Sequence, residues 1–242
     1  MGHSNATDAD LHGEIRAEVA KLCARFPAAY WRELDAVRGY PQDFVHALTE
    51  AGYLAALIPE AFGGAGLNLS AASAILETIH AEGCNGAACH AQMYIMGTIL
   101  RHGSPAQKEE YLPQIASGAL RLQAFGVTEL TSGTDTTALR TFAMREGDNY
   151  IVNGQKIWTS RAEHSDLMLL LARTTPRDQV AKKTEGLSTF IVDMRKVLGN
   201  GLTIRPIRTM MNHNSCEVFF RQHGGAGGES GGGGRAWVPL HP

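Results

Sequence analysis

Two short segments in the second half of the chain carry the side chains best suited to chemistry. Phe125-Gly-Val-Thr-Glu-Leu-Thr-Ser-Gly-Thr-Asp135 is crowded with hydroxyls, glycines and acids. Asn153-Gly-Gln-Lys-Ile-Trp-Thr-Ser160 ends in an indole followed by two hydroxyls. Hydroxyls and glycine amides suit a phosphate, because they donate hydrogen bonds and allow close approach. An indole offers a flat apolar wall to a planar ring. Each segment alone also has a plainer reading. Thr, Ser, Gly and Asp are common in turns, and a Trp in a strand usually belongs to a core.

Other constellations carry less. Gly63-Gly-Ala-Gly66 resembles a dinucleotide loop, but Leu69 stands where a third Gly is needed. No strand-helix-strand unit surrounds it. His80 and Cys84 are four apart and could share a helix face, with Cys89 and His90 beyond. The second pair lacks zinc-type spacing. Cys is habitually buried, so packed helices are expected there and no metal.

These segments must be held by larger elements. Leu11, Ile15, Val19 and Leu22 recur at helical spacing, and Pro27 is expected to end that helix. Pro41 should open a second one that buries Phe44, Leu48 and Leu54. Ser70 is a candidate cap for a helix carrying Ile75 and Ile79. Residues Ala91 to Leu100 form an apolar helix that Gly103 can close, and Pro105 suits a first helical position. After about Gly118 the period changes to short runs of β-formers. Gly147-Asp148-Asn149 and Asn153-Gly154 read as hairpin turns, because their residues tolerate positive φ. Thr174 to Gly186 is a polar surface loop. Helices followed by strands give an α+β class: an N-terminal α-helical domain, 1–120, then an antiparallel β-barrel-like domain, 121–220.

Composition narrows the function classes. Hydrophobic residues at 44% and charged residues at 19% describe a globular chain. A net charge of -2 argues against a broad nucleic-acid surface. No apolar run approaches a membrane span, and the first residues do not form a signal peptide. Cys23, Cys84, Cys89 and Cys216 form no dense framework, so reduced thiols in a cytoplasm are expected.

Taken in order, these segments resemble the acyl-CoA dehydrogenase family. The likeness runs from about Tyr40 to Phe220 and includes Leu57-Ile-Pro-Glu-Ala-Phe-Gly-Gly64, Arg205-Pro-Ile-Arg208 and Glu217-Val-Phe-Phe220. The family's usual first motif has Pro and Ser where this chain has Leu130 and Thr134. Thr134 keeps the hydroxyl, and losing the Pro should loosen the turn.

The resemblance implies FAD as cofactor. It places Phe125, Val127 and Thr128 at the isoalloxazine, and Gly133 and Thr134 at the pyrophosphate. Thr134 also falls near the thioester end of an acyl-CoA substrate. Trp158 walls one flavin face, with Thr159 and Ser160 near N5. In the family a Glu removes the α-proton, the β-hydrogen leaves as hydride, and electrons pass to an electron-transferring flavoprotein. That Glu belongs to a C-terminal helical bundle, which also builds the usual homotetramer. No residue of this chain matches it, so no catalytic residue is assigned and an inactive fragment is expected. A non-catalytic flavin-binding remnant, or an oxidase or monooxygenase on the same scaffold, are the alternatives.

Residues 221–242 break with what precedes them. They are Gly-rich and end Trp237-Val-Pro-Leu-His-Pro242. Codons compatible with that ending, read one nucleotide later, permit Gly-Phe-Arg-Tyr-Ile. Ala226 to Ala236 permit Pro-Ala-Glu-Asn-Leu-Val-Gly-Glu-Glu-Gly-Arg, which looks like the family's continuation. A frameshift near Phe220 is therefore expected, with an irregular tail and no helical bundle.

Overall fold

The computed structural model describes residues 8–147, 149–221 and 237–240. It divides into a helical unit, which ends at Ala119, and a sheet unit, which runs from Leu120 and also takes in Arg101–Ser104.

The helical unit holds α1 (Asp8–Cys23), α2 (Ala28–Val37), α3 (Gln42–Glu50), α4 (Leu69–Ala81), α5 (Ala87–His102) and α6 (Pro105–Ala116). Helix α1 stops at Cys23, before Pro27, whose extended backbone instead caps the separate helix α2. Pro41 caps α3 as expected, and Pro105 is the first residue of α6. The cap of α4 is not Ser70 but Asn68. Its side chain accepts the Ala71 N–H at 2.9 Å, while Ser70 lies inside the first turn and donates to Asn68 Oδ1 at 2.8 Å. Asn68 precedes the first turn, so its side chain can accept an amide there that would otherwise be orphaned. Phe44, Leu48 and Leu54 are buried. Phe26 and Trp31 each meet the Phe44 ring edge-on at 5.1 Å, which anchors this core.

Gly63-Gly-Ala-Gly66 is a packed turn. Its four amides donate to Glu60, Pro59, Ala55 and Ile58 carbonyls at 2.8–3.3 Å, so none is left to cradle a phosphate. Cys84 Sγ lies 3.9 Å from the carbonyls of Cys23 and Phe26, and Cys89 Sγ 3.9 Å from that of Tyr53. The two thiols thus share one hydrophobic core but meet different backbone carbonyls. Among the described residues no helix is long and apolar enough to cross a membrane.

The sheet unit contains β1 (Leu122–Gly126), β2 (Phe142–Glu146), β3 (Asn149–Ser160), β4 (Leu167–Arg173), β5 (Leu187–Asp193), β6 (Leu202–Ile207), β7 (Ser215–Phe220) and β8 (Trp237–Pro239). Their order is β6-β7-β3-β2-β4-β5-β8, with β1 paired to β4. Most pairings are antiparallel, as in the expected barrel-like domain, but β1 and β2 meet β4 in parallel. Met168, Leu170, Phe190, Val192, Val218 and Phe220 fill the interior of this curled sheet.

Two expectations need correction here. Asn153-Gly154 is not a hairpin turn. It lies within one continuous strand, β3, at the point where the strand changes partners. Asn149–Asn153 pair with β2, and Gly154–Ser160 pair with β7. Gly154 is required by crowding, not by a reversal: a Cβ there would sit 2.5 Å from Thr141 Oγ1 and 2.7 Å from Thr141 Cα. The expected reversal before it does occur, between Glu146 and its partner Asn149, although Asp148 lies outside the described residues. The second correction concerns the tail. Trp237–Pro239 is not irregular but pairs antiparallel with Phe190–Val192 of β5. Residues 222–236 lie outside the described residues.

Candidate functional site

The site is built by a defect in β3. Lys156 pairs with Val218 and Thr159 with Cys216, so Ile157 and Trp158 together face Glu217 alone. This is a β-bulge, and bulges re-aim side chains. Strict alternation would put Trp158 on the same inner face as Lys156. The bulge instead turns Trp158 outward with φ of 60°, a left-handed conformation that costs a bulky residue energy. Trp158 is 56% exposed, while Lys156 and Thr159 on either side are fully buried.

The bulge also frees an amide. The Ile157 N–H donates to the Thr128 carbonyl at 2.9 Å, which joins the Trp158 segment to the end of β1. Phe125 is exposed, and Val127 and Thr128 are half-buried along that end. The following turn is closed twice: Glu129 N–H donates to Ser132 O at 2.9 Å and Ser132 N–H to Glu129 O at 3.2 Å. These reciprocal bonds hold the turn without the family's Pro, and Leu130 simply projects into solvent. Gly133 and Thr134 follow the turn, exposed at the tip of the next bend, which Ser132 braces by donating its hydroxyl to Asp135 O at 2.6 Å.

Beneath the turn lies a buried ion pair that sequence reading missed as a pair. Lys156 Nζ is 2.8 Å from Glu129 Oε1 and 2.9 Å from the Val127 carbonyl. Glu129 further accepts the Arg140 N–H at 2.6 Å and the Thr141 N–H at 2.9 Å. Burial alone would raise the Glu129 pKa, but Lys156 and these amides outweigh it and hold the carboxyl below its ordinary range. A lysine at an inward register among apolar strand residues was the available signal.

Ser160 is half-buried, and its Oγ lies 3.0 Å from Nε2 of His213 in the β6–β7 loop. Thr159 differs from its neighbours, since its buried hydroxyl has no hydrogen-bond partner in the protein. The structure thus brings Val127, Thr128 and Trp158 together, sets Gly133 and Thr134 at the turn tip, and points Thr159 inward. An exposed aromatic wall beside hydroxyls and a turn tip can take a flat, polar-edged ring carrying a phosphate.

Residues 9–119 match the family model "Acyl-CoA dehydrogenase, N-terminal domain", and residues 124–223 match "Acyl-CoA dehydrogenase, middle domain". Acyl-CoA dehydrogenase FadE26 of Mycobacterium tuberculosis is 39% identical over 123 residues, which is 51% of this chain and 30% of the relative. Cyclohex-1-ene-1-carbonyl-CoA dehydrogenase of Syntrophus aciditrophicus is 33% identical over 177 residues, 72% of this chain and 42% of that protein. The crystal structure of acyl-CoA dehydrogenase from Geobacillus kaustophilus shares the fold, with a TM-score of 0.80 at 23% identity over 99% of this chain and 58% of that one. The chain therefore spans less than half the length of these two curated relatives. Its two matched regions meet the two units of the structure, and the chain belongs to the acyl-CoA dehydrogenase family, whose N-terminal and middle domains it carries.

Proposed function

We propose that this chain is the flavin-holding part of an enzyme that desaturates acyl-CoA thioesters between Cα and Cβ. The observation that carries this reading is the β3 bulge, which presents Trp158 outward and ties it to the Thr128 turn. The residues fit FAD: an outward indole, nearby hydroxyls, an open turn tip, and a buried Thr159 hydroxyl without a protein partner. When bound, FAD would supply the two-electron acceptor for the desaturation.

Trp158 would wall one face of the ring, with Phe125, Val127 and Thr128 along its edge and Thr159 and Ser160 near its centre. Gly133 and Thr134 would hold the pyrophosphate, and Thr134 would also orient the thioester end of the substrate. These residues bind and orient; none of them moves the α-proton. Glu129 is not that base, because Lys156 and two backbone amides already occupy its carboxylate. No residue assigned to this site can take the α-proton, so FAD binding without turnover is what this reading expects of the chain. In the complete enzyme an electron-transferring flavoprotein would take the electrons. Four buried thiols without disulfides support a reducing, cytoplasmic setting.

The test is to purify the chain, titrate FAD against flavin fluorescence, and assay acyl-CoAs with an artificial acceptor. FAD binding without turnover is expected. Absence of binding ends the reading, and turnover shows that the base lies within the chain.

A further inference from the structure

The loop between β6 and β7 is more ordered in its bonding than a connector needs. Thr209 Oγ1 lies 2.7 Å from the Met211 carbonyl and 3.1 Å from the His213 carbonyl, its one proton shared between the two. The His213 N–H donates back to Met211 O at 2.8 Å. On the other side, Asn214 O accepts the Arg161 N–H at 2.7 Å, and Asn214 Nδ2 donates to Glu163 Oε2 at 2.6 Å. The backbone is thus pinned before and after His213, and its imidazole Nε2 is delivered to 3.0 Å from Ser160 Oγ.

We propose that His213 is a positioning residue that fixes the Ser160 hydroxyl as a donor toward a ring-edge acceptor lying against Trp158. The inference rests on the flavin reading and deepens it. A serine hydroxyl has one proton and two lone pairs. An imidazole protonated at Nε2 donates into one lone pair, which leaves the Ser160 proton free to point at the ligand. The opposite tautomer would draw that proton to itself and silence the donor. Burial, aided by the nearby Arg161 cation, lowers the His213 pKa and keeps the ring neutral. The same cation opposes an imidazolium, so the pair is not a nucleophile with its base. The Ser160 backbone is held in register opposite Ser215, which leaves its side chain for His213 to set.

The experiment compares the full chain with His213→Leu, His213→Gln and Ser160→Ala. FAD affinity is read by flavin fluorescence, the flavin absorption band by its position, and the His213 tautomer by 15N NMR of the protein without FAD. His213→Leu should weaken FAD by about tenfold, the loss of one oriented hydrogen bond. His213→Gln, which keeps a donor, should recover part of that affinity. Adding His213→Leu to Ser160→Ala should cost nothing more, because both act through one hydroxyl. The NMR signature should show Nε2 protonated and should move in Ser160→Ala.

If the native chain binds FAD and His213→Leu binds it equally, with an unchanged band, the positioning role is overturned and the flavin reading stands. If the native chain binds no FAD, both fall. If His213→Leu fails to fold, an unprotonated Nε2 in the native chain still overturns the role.

Discussion

The ammonium of Lys156 sits 2.8 Å from Glu129 Oε1 and reaches the Val127 carbonyl as well, so one buried cation clamps β3 to both sides of the Thr128 turn. Both side chains are buried, and each is compensated by the other and by backbone groups, with the Thr141 hydroxyl also serving Glu129. Removing one partner therefore strands the other. We expect Lys156→Met to cost about 3–5 kcal/mol, as for other buried pairs that lose one member. Denaturant unfolding of the purified chain measures it; a loss below about 1 kcal/mol would show that Glu129 escapes to water or protonates freely.

The same pair predicts a pH dependence. The folded Glu129 pKa lies below its unfolded value, because Lys156 and backbone amides outweigh the effect of burial. Its stabilisation is therefore complete above the unfolded carboxylate range and is lost as pH falls through the folded value. Melting temperature followed from neutral pH downward should drop more steeply for the native chain than for Glu129→Gln. Parallel curves would remove Glu129 as a cause of acid sensitivity.

Trp158 separates folding from binding. It is more than half exposed and has positive φ, so Trp158→Gly removes little packing and relieves about 1 kcal/mol of backbone strain. Stability should hold or rise while FAD affinity falls by about tenfold or more, as for loss of an aromatic stacking platform. A variant that unfolds would place the indole in the structural core instead.

Thr159→Val tests the one assigned hydroxyl that points inward. Without a ligand, replacing an unpartnered buried hydroxyl by a methyl should be neutral or stabilising by up to about 1 kcal/mol. If Thr159 serves FAD, the same change weakens FAD binding several-fold. Unchanged binding would restrict the ring contacts to Trp158, Ser160 and the Thr128 turn.

Gly154 is a test of the strand crossing. Gly154→Ala brings a Cβ against the Thr141 backbone, which has no room to yield. The expected loss is about 2–3 kcal/mol in denaturant unfolding. A hairpin turn at this position would tolerate Ala far better than the crowded crossing does.

Much of the architecture was legible because local chemistry dictates it. Helical spacing marked Phe44 and Leu48 as a buried face of α3, whereas Leu54, expected on the same helix, is buried from the separate 3-10 turn Tyr53–Ala55 that follows it. Pro41 and Pro105 marked helix starts, since a proline lacks the N–H that a first turn leaves unused anyway. Alternation and β-branched runs located most of the strands. The Thr128 and Trp158 segments stood out by residue type, and they do meet in space.

What the sequence could not settle is where backbone pairing overrides local preference. Asn153-Gly154 has the chemistry of a reversal, yet neighbouring strands on either side hold it extended. Trp158 has the composition of a core residue, yet one unpaired position in the β3–β7 ladder turns it to the surface. Glu129, Lys156 and His213 lie far apart along the chain, and only the folded sheet brings each to its partner. Residue type and period fix which elements form, because those are short-range energies; register and bulges depend on long-range pairing, and in this protein they decide which side chains become a site.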